Sequence, residues 1–241
     1  AIKRPDDESA ATMRAVMARE GIPSAVLLDV LGTLVELETP WPHLARELAA
    51  RGVVVDLEAA RAAMLAEMAY YRAHHDEARD WATLKDLRRR CAAVVQESLG
   101  TPLPLADVEE ALLAAVRFRA YPEVPAALER LRAGGARLAV VSNWDVSLHD
   151  VLERTGLRAL LDAVVISAEL GVAKPDPAIF RAALDRLGAT AADAMHVGDS
   201  LDADVAGARA AGLEAVLVAR NGAQAPDGVR VVASLDGLFV T

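Results

Sequence analysis

A nearly continuous hydrophobic run covers residues 25–34 and reads Ala-Val-Leu-Leu-Asp-Val-Leu-Gly-Thr-Leu. A short apolar run that a glycine ends is typical of a strand buried on both faces of a parallel sheet. Asp29 is the one charged residue of the run, and Gly32 allows the chain to turn sharply just after it. Because ligands bind at the carboxyl ends of the strands in open α/β sheets, Asp29 lies where chemistry is usually done.

Residues 36–120 contain almost no strand signal, and their hydrophobic positions recur at helical spacing. Asp56 is a suitable N-cap for a helix that continues to about Ala73. One face of this helix is apolar and consists of Leu57, Ala60, Met64 and Met68. Further helices are predicted at 42–50, 80–99 and 106–118. The segment is therefore predicted to be an all-α insertion that forms a small bundle.

From Tyr121 onward the pattern alternates between helices and short apolar strands. Strands are predicted at 137–142, 163–167, 194–198, 214–219 and 229–233. Helices are predicted at 124–133, 146–155, 177–187 and 204–211. This alternation predicts right-handed crossovers and a parallel sheet with helices on both faces. The fold class is therefore α/β, a Rossmann-like parallel sheet with an inserted all-α helical cap.

The pattern divides the chain into three parts. Residues 1–24 are predicted to be an N-terminal arm with a short helix, for which a packing or homodimer contact is one interpretation. Residues 25–35 and 121–241 are predicted to form the Rossmann-like core, and residues 36–120 the helical cap.

Composition narrows the class of partner. The net charge is -9 and no cluster of Lys and Arg suggests a nucleic-acid footprint, so a nucleic-acid partner is not expected. A single cysteine, Cys91, excludes an intrachain disulfide and a cysteine metal cluster. The sequence has no secretory hydrophobic region near its start and no apolar run long enough to span a bilayer. We expect a cytoplasmic protein, without membrane partners, that acts on a small molecule.

Four short motifs fall at the ends of four predicted strands. They are Asp29 with Gly32-Thr33, Ser142-Asn143, Lys174-Pro175-Asp176-Pro177, and Gly198-Asp199-Ser200 with Asp204. A doubly wound sheet brings such strand ends together. A carboxylate nucleophile, a hydroxyl, a lysine and an acidic pair are what phosphoryl transfer through an aspartyl-phosphate needs.

The chemistry assigns a role to each group. Asp29 would attack, and Asp29 and Asp199 would hold Mg²⁺, which prefers one or two carboxylates together with water and substrate oxygens. Lys174 and Ser142 would stabilise charge on the transferring oxygens. Asp204 could be the N-cap of the helix predicted to start there, a role that is compatible with a position behind the metal ligands. We also predict that Asp145 caps a helix.

The four motifs, in this order and with a helical insertion after the first, resemble the haloacid dehalogenase-like (HAD) hydrolase superfamily, in the branch with a helical cap. The resemblance covers about residues 25–220 and is strongest at Val140–Asn143, Val172–Pro177 and Gly198–Asp199. It implies a Rossmann-like core, Asp29 as nucleophile, an Mg²⁺ site, and a cap that selects the substrate. Thr33 and Asn143 belong to the matching motifs and join the candidate catalytic residues, and Asp204 joins the candidate metal ligands.

One position departs from the family pattern. Family phosphatases usually carry a second Asp two residues after the nucleophile as general acid and base, and this chain has Leu31 there. A leucine cannot move a proton, and general acid–base help is typically worth ~10²–10⁴-fold in rate. The resemblance also implies that this position offers its backbone carbonyl to Mg²⁺, which Leu31 retains. We expect metal binding to survive and protonation of a poor leaving group to suffer.

Three alternatives to an Mg²⁺-dependent phosphatase remain open. A metal-independent 2-haloacid dehalogenase, which works through an aspartyl ester, needs no second Asp because a halide leaves without a proton. A phosphonatase would need a reactive cap lysine, for which Lys85 is the one lysine of the segment. A catalytically weak HAD-fold binding protein is the third. The metal-type motif at Asp199 and Asp204 favours the phosphatase. His196, inside a predicted strand, is interpreted as a core histidine and not as a ligand.

Overall fold

The computed structural model describes residues 23–222 and 227–239, so the arm predicted at residues 1–24 lies almost wholly outside the described residues. The chain divides into two compact units. The α/β unit comprises the described residues of Ala1–Glu36, Ala120–Asn143 and His149–Thr241. The helical unit comprises Leu37–Arg119 and Trp144–Leu148.

The strands are β1 (Ala25–Leu28), β2 (Val35–Leu37), β3 (Phe118–Ala120), β4 (Arg137–Ser142), β5 (Ala163–Ile166), β6 (Ala194–Gly198), β7 (Glu214–Val218) and β8 (Arg230–Val232). The helices are α1 (Pro40–Ala50), α2 (Leu57–His74), α3 (Trp81–Leu99), α4 (Leu105–Ala115), α5 (Val124–Ala133), α6 (Leu148–Arg154), α7 (Ser167–Leu170), α8 (Pro177–Leu187) and α9 (Gly207–Ala210). Short 3₁₀ turns connect several of them.

The sheet of the α/β unit has the strand order β5-β4-β1-β6-β7-β8, and every neighbouring pair is parallel. The predicted Rossmann-like parallel sheet is confirmed. All four residues of β1 are buried, as the continuous apolar run predicts. The chain adds β4 and β5 on one side of β1 and β6 to β8 on the other. The carboxyl end of β1 is therefore the switch point at which such sheets bind ligands.

Capping residues explain where the helices begin and end. In the α/β unit the Asp176 side chain accepts a hydrogen bond from the Ala178 amide at the start of α8, where Pro177 occupies the first turn. In the helical unit, Asp56 accepts from the Ala59 amide at the start of α2. Asp80 forms a capping box with Thr83 at the start of α3.

The helical unit has a hydrophobic core of its own. Its buried side chains come from all four long helices and include Leu44, Met64, Leu87, Val95 and Leu112. The core explains how helices with exposed polar faces are held together, since most helix stability in proteins comes from packing of the apolar face.

A five-residue segment, Trp144–Leu148, belongs to the helical unit although it follows β4 in the chain. The Trp144 ring lies edge-on to the Phe118 ring, with centroids 5.0 Å apart. The Tyr71 hydroxyl donates to Asp145 Oδ2 at 2.9 Å, and the Val146 amide donates to the Ala78 carbonyl at 3.1 Å. The predicted capping role of Asp145 is therefore incomplete, because its carboxylate accepts from Tyr71 as well as from the Ser147 amide.

The structure also corrects element boundaries. The three-residue strands β2 and β3 form a small sheet in a region for which almost no strand was predicted. As a result α4 ends at Ala115, before the predicted limit at residue 118. The helix predicted at 204–211 begins earlier, as a π-helical turn over Leu201–Ala206 that Ser200 caps by accepting from the Ala203 amide. The interpretation of Asp204 as the N-cap is therefore wrong. Among the described helices, none is both long and apolar enough to cross a membrane.

Candidate active site

Asp29 lies directly after β1, and its backbone amide donates to the Val197 carbonyl at 2.9 Å. This bond extends the β1–β6 pairing by one residue and fixes the backbone from which the carboxylate projects. The chain then turns tightly, because the Val30 carbonyl accepts from the amides of Leu34 and Val35 at 2.8 and 2.9 Å. Gly32 has φ +83, which a side chain would strain.

Lys174 joins two carboxylates of the site. Its Nζ lies 2.6 Å from Asp29 Oδ1 and 2.6 Å from Asp204 Oδ1, and all three side chains are buried. Asn143 holds the Lys174 backbone from both sides: Asn143 Nδ2 donates to the Lys174 carbonyl at 2.9 Å, and the Lys174 amide donates to Asn143 Oδ1 at 2.7 Å. The loop after β4 thus positions the lysine.

Asp204 is held by three donors. Besides Lys174, His196 Nε2 lies 2.9 Å from Asp204 Oδ1, and the Ser200 amide donates to Asp204 Oδ2 at 2.9 Å. His196 is fully buried, with its ring edge-on to Phe180 at 5.0 Å. His196 does lie in the core, and it also contacts the acidic cluster. Gly198 is required here, since a Cβ at that position would overlap the Asp204 carboxyl.

Asp199 follows β6 and lies against the turn after β1. A Cβ on Gly32 would overlap Asp199 Oδ2, so the absence of a side chain at Gly32 lets the carboxylate approach the turn. Asp29, Asp199 and Asp204 each offer an oxygen, and these oxygens lie within 4.8 Å of one another. Carboxylate oxygens at this spacing suit a hard divalent cation.

Burial and neighbouring charges shift the pKa values of these groups. Burial raises the pKa of Asp29 to about 6, against the opposing charge of Lys174. Burial also raises the pKa of Asp199, and the Asp204 charge adds to the rise. Burial alone would raise the pKa of Asp204, but Lys174 and His196 outweigh it and lower the value. Burial alone would lower the pKa of Lys174, but Asp29 and Asp204 outweigh it and raise the value.

The remaining predicted site residues are Ser142, at the end of β4, and Thr33 and Leu31, in the turn after β1. Ser142 is the last residue of β4 and is buried. Thr33 is buried, and its Oγ1 has no hydrogen-bond partner among residues 23–222 and 227–239. Leu31 is 44% exposed, so the family departure stands at an accessible position of the turn.

A protein-family model, described as haloacid dehalogenase-like hydrolase, matches residues 23–212. The chain belongs to the haloacid dehalogenase-like hydrolase family. Solved HAD structures agree: a HAD phosphatase from Thermococcus onnurineus covers 89% of this chain and 95% of its own, at 27% identity and a TM-score of 0.61. An L-2-haloacid dehalogenase from Xanthobacter autotrophicus has a TM-score of 0.65 at 23% identity over 90% of this chain and 97% of its own, which shows the HAD fold alone.

Curated relatives of this HAD hydrolase include phosphatases. A glyceraldehyde 3-phosphate phosphatase from Methanopyrus kandleri is 34% identical over 81% of this chain and 84% of its own. The mouse (Mus musculus) haloacid dehalogenase-like hydrolase domain-containing protein 3 is 48% identical over 92 residues. That match spans 38% of this chain and only 37% of the mouse protein.

Sequence reasoning missed two contacts of the HAD site. One is the bond between His196 and Asp204, which joins a strand position to a residue eight positions later. The other is Arg220, whose guanidinium donates to the carbonyls of Gly32 and Thr33. Its position just after β7, at the same sheet edge as the motifs, is the signal that could have singled it out.

Proposed function

We propose that this HAD hydrolase is an Mg²⁺-dependent phosphatase that acts on a small phosphorylated metabolite through an aspartyl-phosphate on Asp29. The observation that carries the proposal is the position of the Asp29 carboxylate. It stands at the end of the central strand, 2.6 Å from the Lys174 ammonium and close to Asp199 and Asp204. The phosphatase names of the curated relatives support the same reaction class.

The donor set fits Mg²⁺. Both oxygens of Asp204 already accept hydrogen bonds from protein groups, so Asp29 and Asp199 are the carboxylates we assign to direct ligation. The Leu31 backbone carbonyl is the third protein ligand that we propose. Asp204 would not bind the metal directly and would instead hold the Lys174 ammonium in place. When bound, Mg²⁺ would supply positive charge to the phosphoryl oxygens.

The proposed reaction has two steps that both use Asp29. In the first, an Asp29 oxygen attacks phosphorus, the bond from phosphorus to the ester oxygen breaks, and the leaving alkoxide takes up a proton. In the second, water attacks the aspartyl-phosphate, its proton is released, and inorganic phosphate leaves a free Asp29 carboxylate. The pKa of Asp29 near 6 leaves the carboxylate ionised and able to attack at neutral pH.

The other side chains stabilise charge and position groups. We propose that Lys174 orients Asp29 and offsets negative charge on the phosphoryl group, as preorganised cations do in phosphoryl transfer. Ser142 and Thr33 are proposed hydroxyl donors to that group, and Asn143 fixes the lysine backbone. The helical unit is proposed to be the cap that selects the substrate.

Leu31 limits the leaving groups that we expect the enzyme to handle. The side chain cannot donate a proton, so the leaving oxygen must be weakly basic or must be protonated by the substrate or water. We therefore expect activated aryl phosphates to react faster than simple alkyl phosphates.

The first experiment measures hydrolysis of an aryl phosphate with Mg²⁺ and with a chelator. Wild type should turn over only with Mg²⁺, and Asp29→Asn should abolish turnover. Asp202→Asn, at an exposed carboxylate of the π-helical turn that also contains Asp204, is the control and should retain activity. Turnover that persists in Asp29→Asn would contradict the proposed nucleophile.

One observation favours a second candidate, a metal-independent dehalogenase: Leu31 takes the place of the acidic residue that phosphatases use. Release of halide from 2-haloacids in the presence of chelator would support this candidate. Absence of halide release across a panel of 2-haloacids, together with Mg²⁺-dependent phosphate release, would exclude it. Ligand-induced thermal stabilisation without any turnover would instead indicate a binding protein.

A further inference from the structure

Arg220 lies two residues after β7, and its side chain reaches the turn that follows β1. Arg220 Nε donates to the Gly32 carbonyl at 2.9 Å, and Nη2 donates to the Thr33 carbonyl at 2.7 Å. β6 separates β7 from β1, so two inter-strand spacings, roughly 10 Å, lie between the strands that carry the two partners. A long side chain with a planar fork is suited to binding two successive carbonyls across this distance.

The rest of the guanidinium is also occupied. Nη1 lies 2.8 Å from Glu123 Oε1, and Cζ lies 3.3 Å from the centroid of the Tyr121 ring. The Tyr121 amide donates to the Leu34 carbonyl at 3.1 Å, so the segment that returns from β3 is tied to the same turn. Nε and Nη2 bond the turn, Nη1 forms an ion pair with Glu123, and one face of the guanidinium is stacked on Tyr121, so these contacts commit Arg220 to the turn.

The turn that Arg220 holds is in contact with the acidic cluster. The Asp199 carboxylate occupies the space that a Gly32 side chain would fill. A shift of the Gly32 backbone would therefore change the surface that the Asp199 carboxylate packs against. The same turn carries Leu31 and Thr33 and begins at Asp29. Through its bonds to the Gly32 and Thr33 carbonyls, Arg220 can therefore influence how the Asp29 and Asp199 carboxylates are placed relative to each other.

We propose that Arg220 is a positioning residue that fixes the Gly32–Thr33 turn and, through it, the separation of Asp29 from Asp199. The inference rests on the proposed function, because that separation matters to chemistry only if the two carboxylates act together. Glu123 and Tyr121 act through Arg220 by holding its guanidinium in the plane that meets both carbonyls.

The kinetic test replaces Arg220 and follows kcat and KM for an aryl phosphate with Mg²⁺. A misplacement of about 1 Å can cost ~10²-fold in rate, so Arg220→Met should lower kcat by roughly 10- to 100-fold. KM and the inhibition constant for inorganic phosphate should stay within about threefold of wild type, because Arg220 does not bind the anion. Arg220→Lys should lie between, since an ammonium cannot bond both carbonyls in one plane.

Two further variants locate the effect. Glu123→Gln should lower kcat less than Arg220→Met and add little to it in the double variant, because both act on one contact. Arg132→Met is the matched control, since Arg132 also bonds a carbonyl, of Leu160, and a carboxylate, of Asp162, at 2.9 and 3.0 Å. Asp162 accepts from the Leu138 amide near the start of β4, away from the site. This control should leave kcat unchanged.

A second measurement does not depend on turnover. Hydrogen exchange of the peptide that covers residues 30–35 should be faster in Arg220→Met than in wild type and unchanged in Arg132→Met. If wild type hydrolyses no phosphate, the proposed function fails while hydrogen exchange still decides whether Arg220 holds the turn. Unchanged exchange in Arg220→Met would overturn the inference. A rise in KM and in the phosphate inhibition constant at constant kcat would overturn it as well, by making Arg220 an anion ligand.

Discussion

At the residue scale, the ionised form of Asp29, the proposed nucleophile, destabilises the folded protein. Burial raises the pKa of Asp29 from 3.8 to about 6, so ionised Asp29 is less favourable in the folded chain than in the unfolded chain. Asp29 therefore stabilises the folded protein most when it is protonated, at pH values below the pKa it has in the unfolded chain. This stabilisation is lost as the pH rises through the pKa of Asp29 in the folded protein. The rise corresponds to at most about 3 kcal/mol at neutral pH.

Asp29→Asn is therefore expected to be inactive and more stable than wild type at pH 7.5, by up to about 3 kcal/mol, with the difference vanishing near pH 4. Urea denaturation in chelator at both pH values measures the change. Asp202→Asn, at an exposed position, should show no such pH-dependent gain. If Asp29→Asn is less stable than wild type at pH 7.5, the ion pair with Lys174 stabilises the folded protein by more than the burial of the charged carboxylate destabilises it.

Leu31 is the residue at which chemistry can be added. Because the side chain is 44% exposed, Leu31→Asp should fold without a buried charge. A carboxyl group there should raise kcat/KM for alkyl phosphates, by up to ~10²-fold, and change aryl phosphates little. The alkyl-to-aryl ratio of kcat/KM is the measurement. Leu31→Asn, which has the same shape but no transferable proton, is the control, and an equal gain in both variants would contradict proton donation.

Single residues were predictable where a motif fixed their position in the sheet. Asp29, Lys174, Asp199 and Asp204 come together as the strand-end argument predicts. His196 and Arg220 were not predictable in the same way. Their partners depend on how far a side chain reaches across neighbouring strands, and hydrophobic patterning does not encode that distance.

At the scale of elements, α2 carries a buried carboxyl group in its apolar face. Burial raises the pKa of Glu67, and a hydrogen bond with Cys91 opposes the rise. By the same linkage, Glu67 is most favourable to folding below its unfolded pKa, and this contribution is lost as pH rises.

Glu67→Gln should therefore raise the melting temperature at pH 8, by about 2–4 °C if the gain is about 1 kcal/mol, and should make no difference at pH 4. Melting curves at the two pH values give the result. Glu58→Gln changes an exposed acidic residue in the first turn of the same helix, where a negative charge favours the helix dipole, so this control should give no gain in melting temperature at pH 8. A loss of stability at pH 8 would mean that the ionised carboxylate has a stabilising partner.

Elements whose ends are marked by helix- or strand-terminating residues were predicted with the correct first and last residue. β4, β6, α5 and α8 have the predicted bounds, because glycine, proline or a capping Asp marks their ends. β2 and β3 were missed because three residues are too few to establish an alternating pattern. The π-helical turn that brings Asp204 to Lys174 was missed for another reason, since an extra residue per turn leaves no local sequence signal.

At the scale of the whole molecule, the proposed binding of a metal to the acidic cluster would be linked to global stability. A cation that binds the folded chain alone stabilises it, by about 2.7 kcal/mol at a hundred times its Kd. Protons compete for the same oxygens, and the pKa of Asp29 near 6 sets the range in which they do so.

Mg²⁺ should therefore raise the melting temperature of wild type at pH 8, and its apparent Kd should weaken by about tenfold per pH unit below 6. A thermal-shift titration at pH 5 and pH 8, with NaCl at matched ionic strength, measures both. Asp199→Asn should lose the shift and Asp202→Asn should keep it. Equal affinities at the two pH values would place the metal away from Asp29.

The fold class was predictable because strands and helices alternate over more than a hundred residues. The membership of Trp144–Leu148 in the helical unit was not. In the linear pattern these residues continue from β4 toward α6, and only the partners Phe118, Tyr71 and Ala78 assign them elsewhere.

The helical unit is discontinuous in sequence, because it includes the short segment Trp144–Leu148 as well as Leu37–Arg119. A graft that exchanged Leu37–Arg119 for the corresponding stretch of a relative would leave Trp144, Asp145 and Val146 facing foreign partners. An exchange of the helical unit between relatives must therefore include both Leu37–Arg119 and Trp144–Leu148, or be accompanied by substitutions in Trp144–Leu148. The second piece begins directly after Asn143, so any such exchange edits the chain next to the residue that holds Lys174.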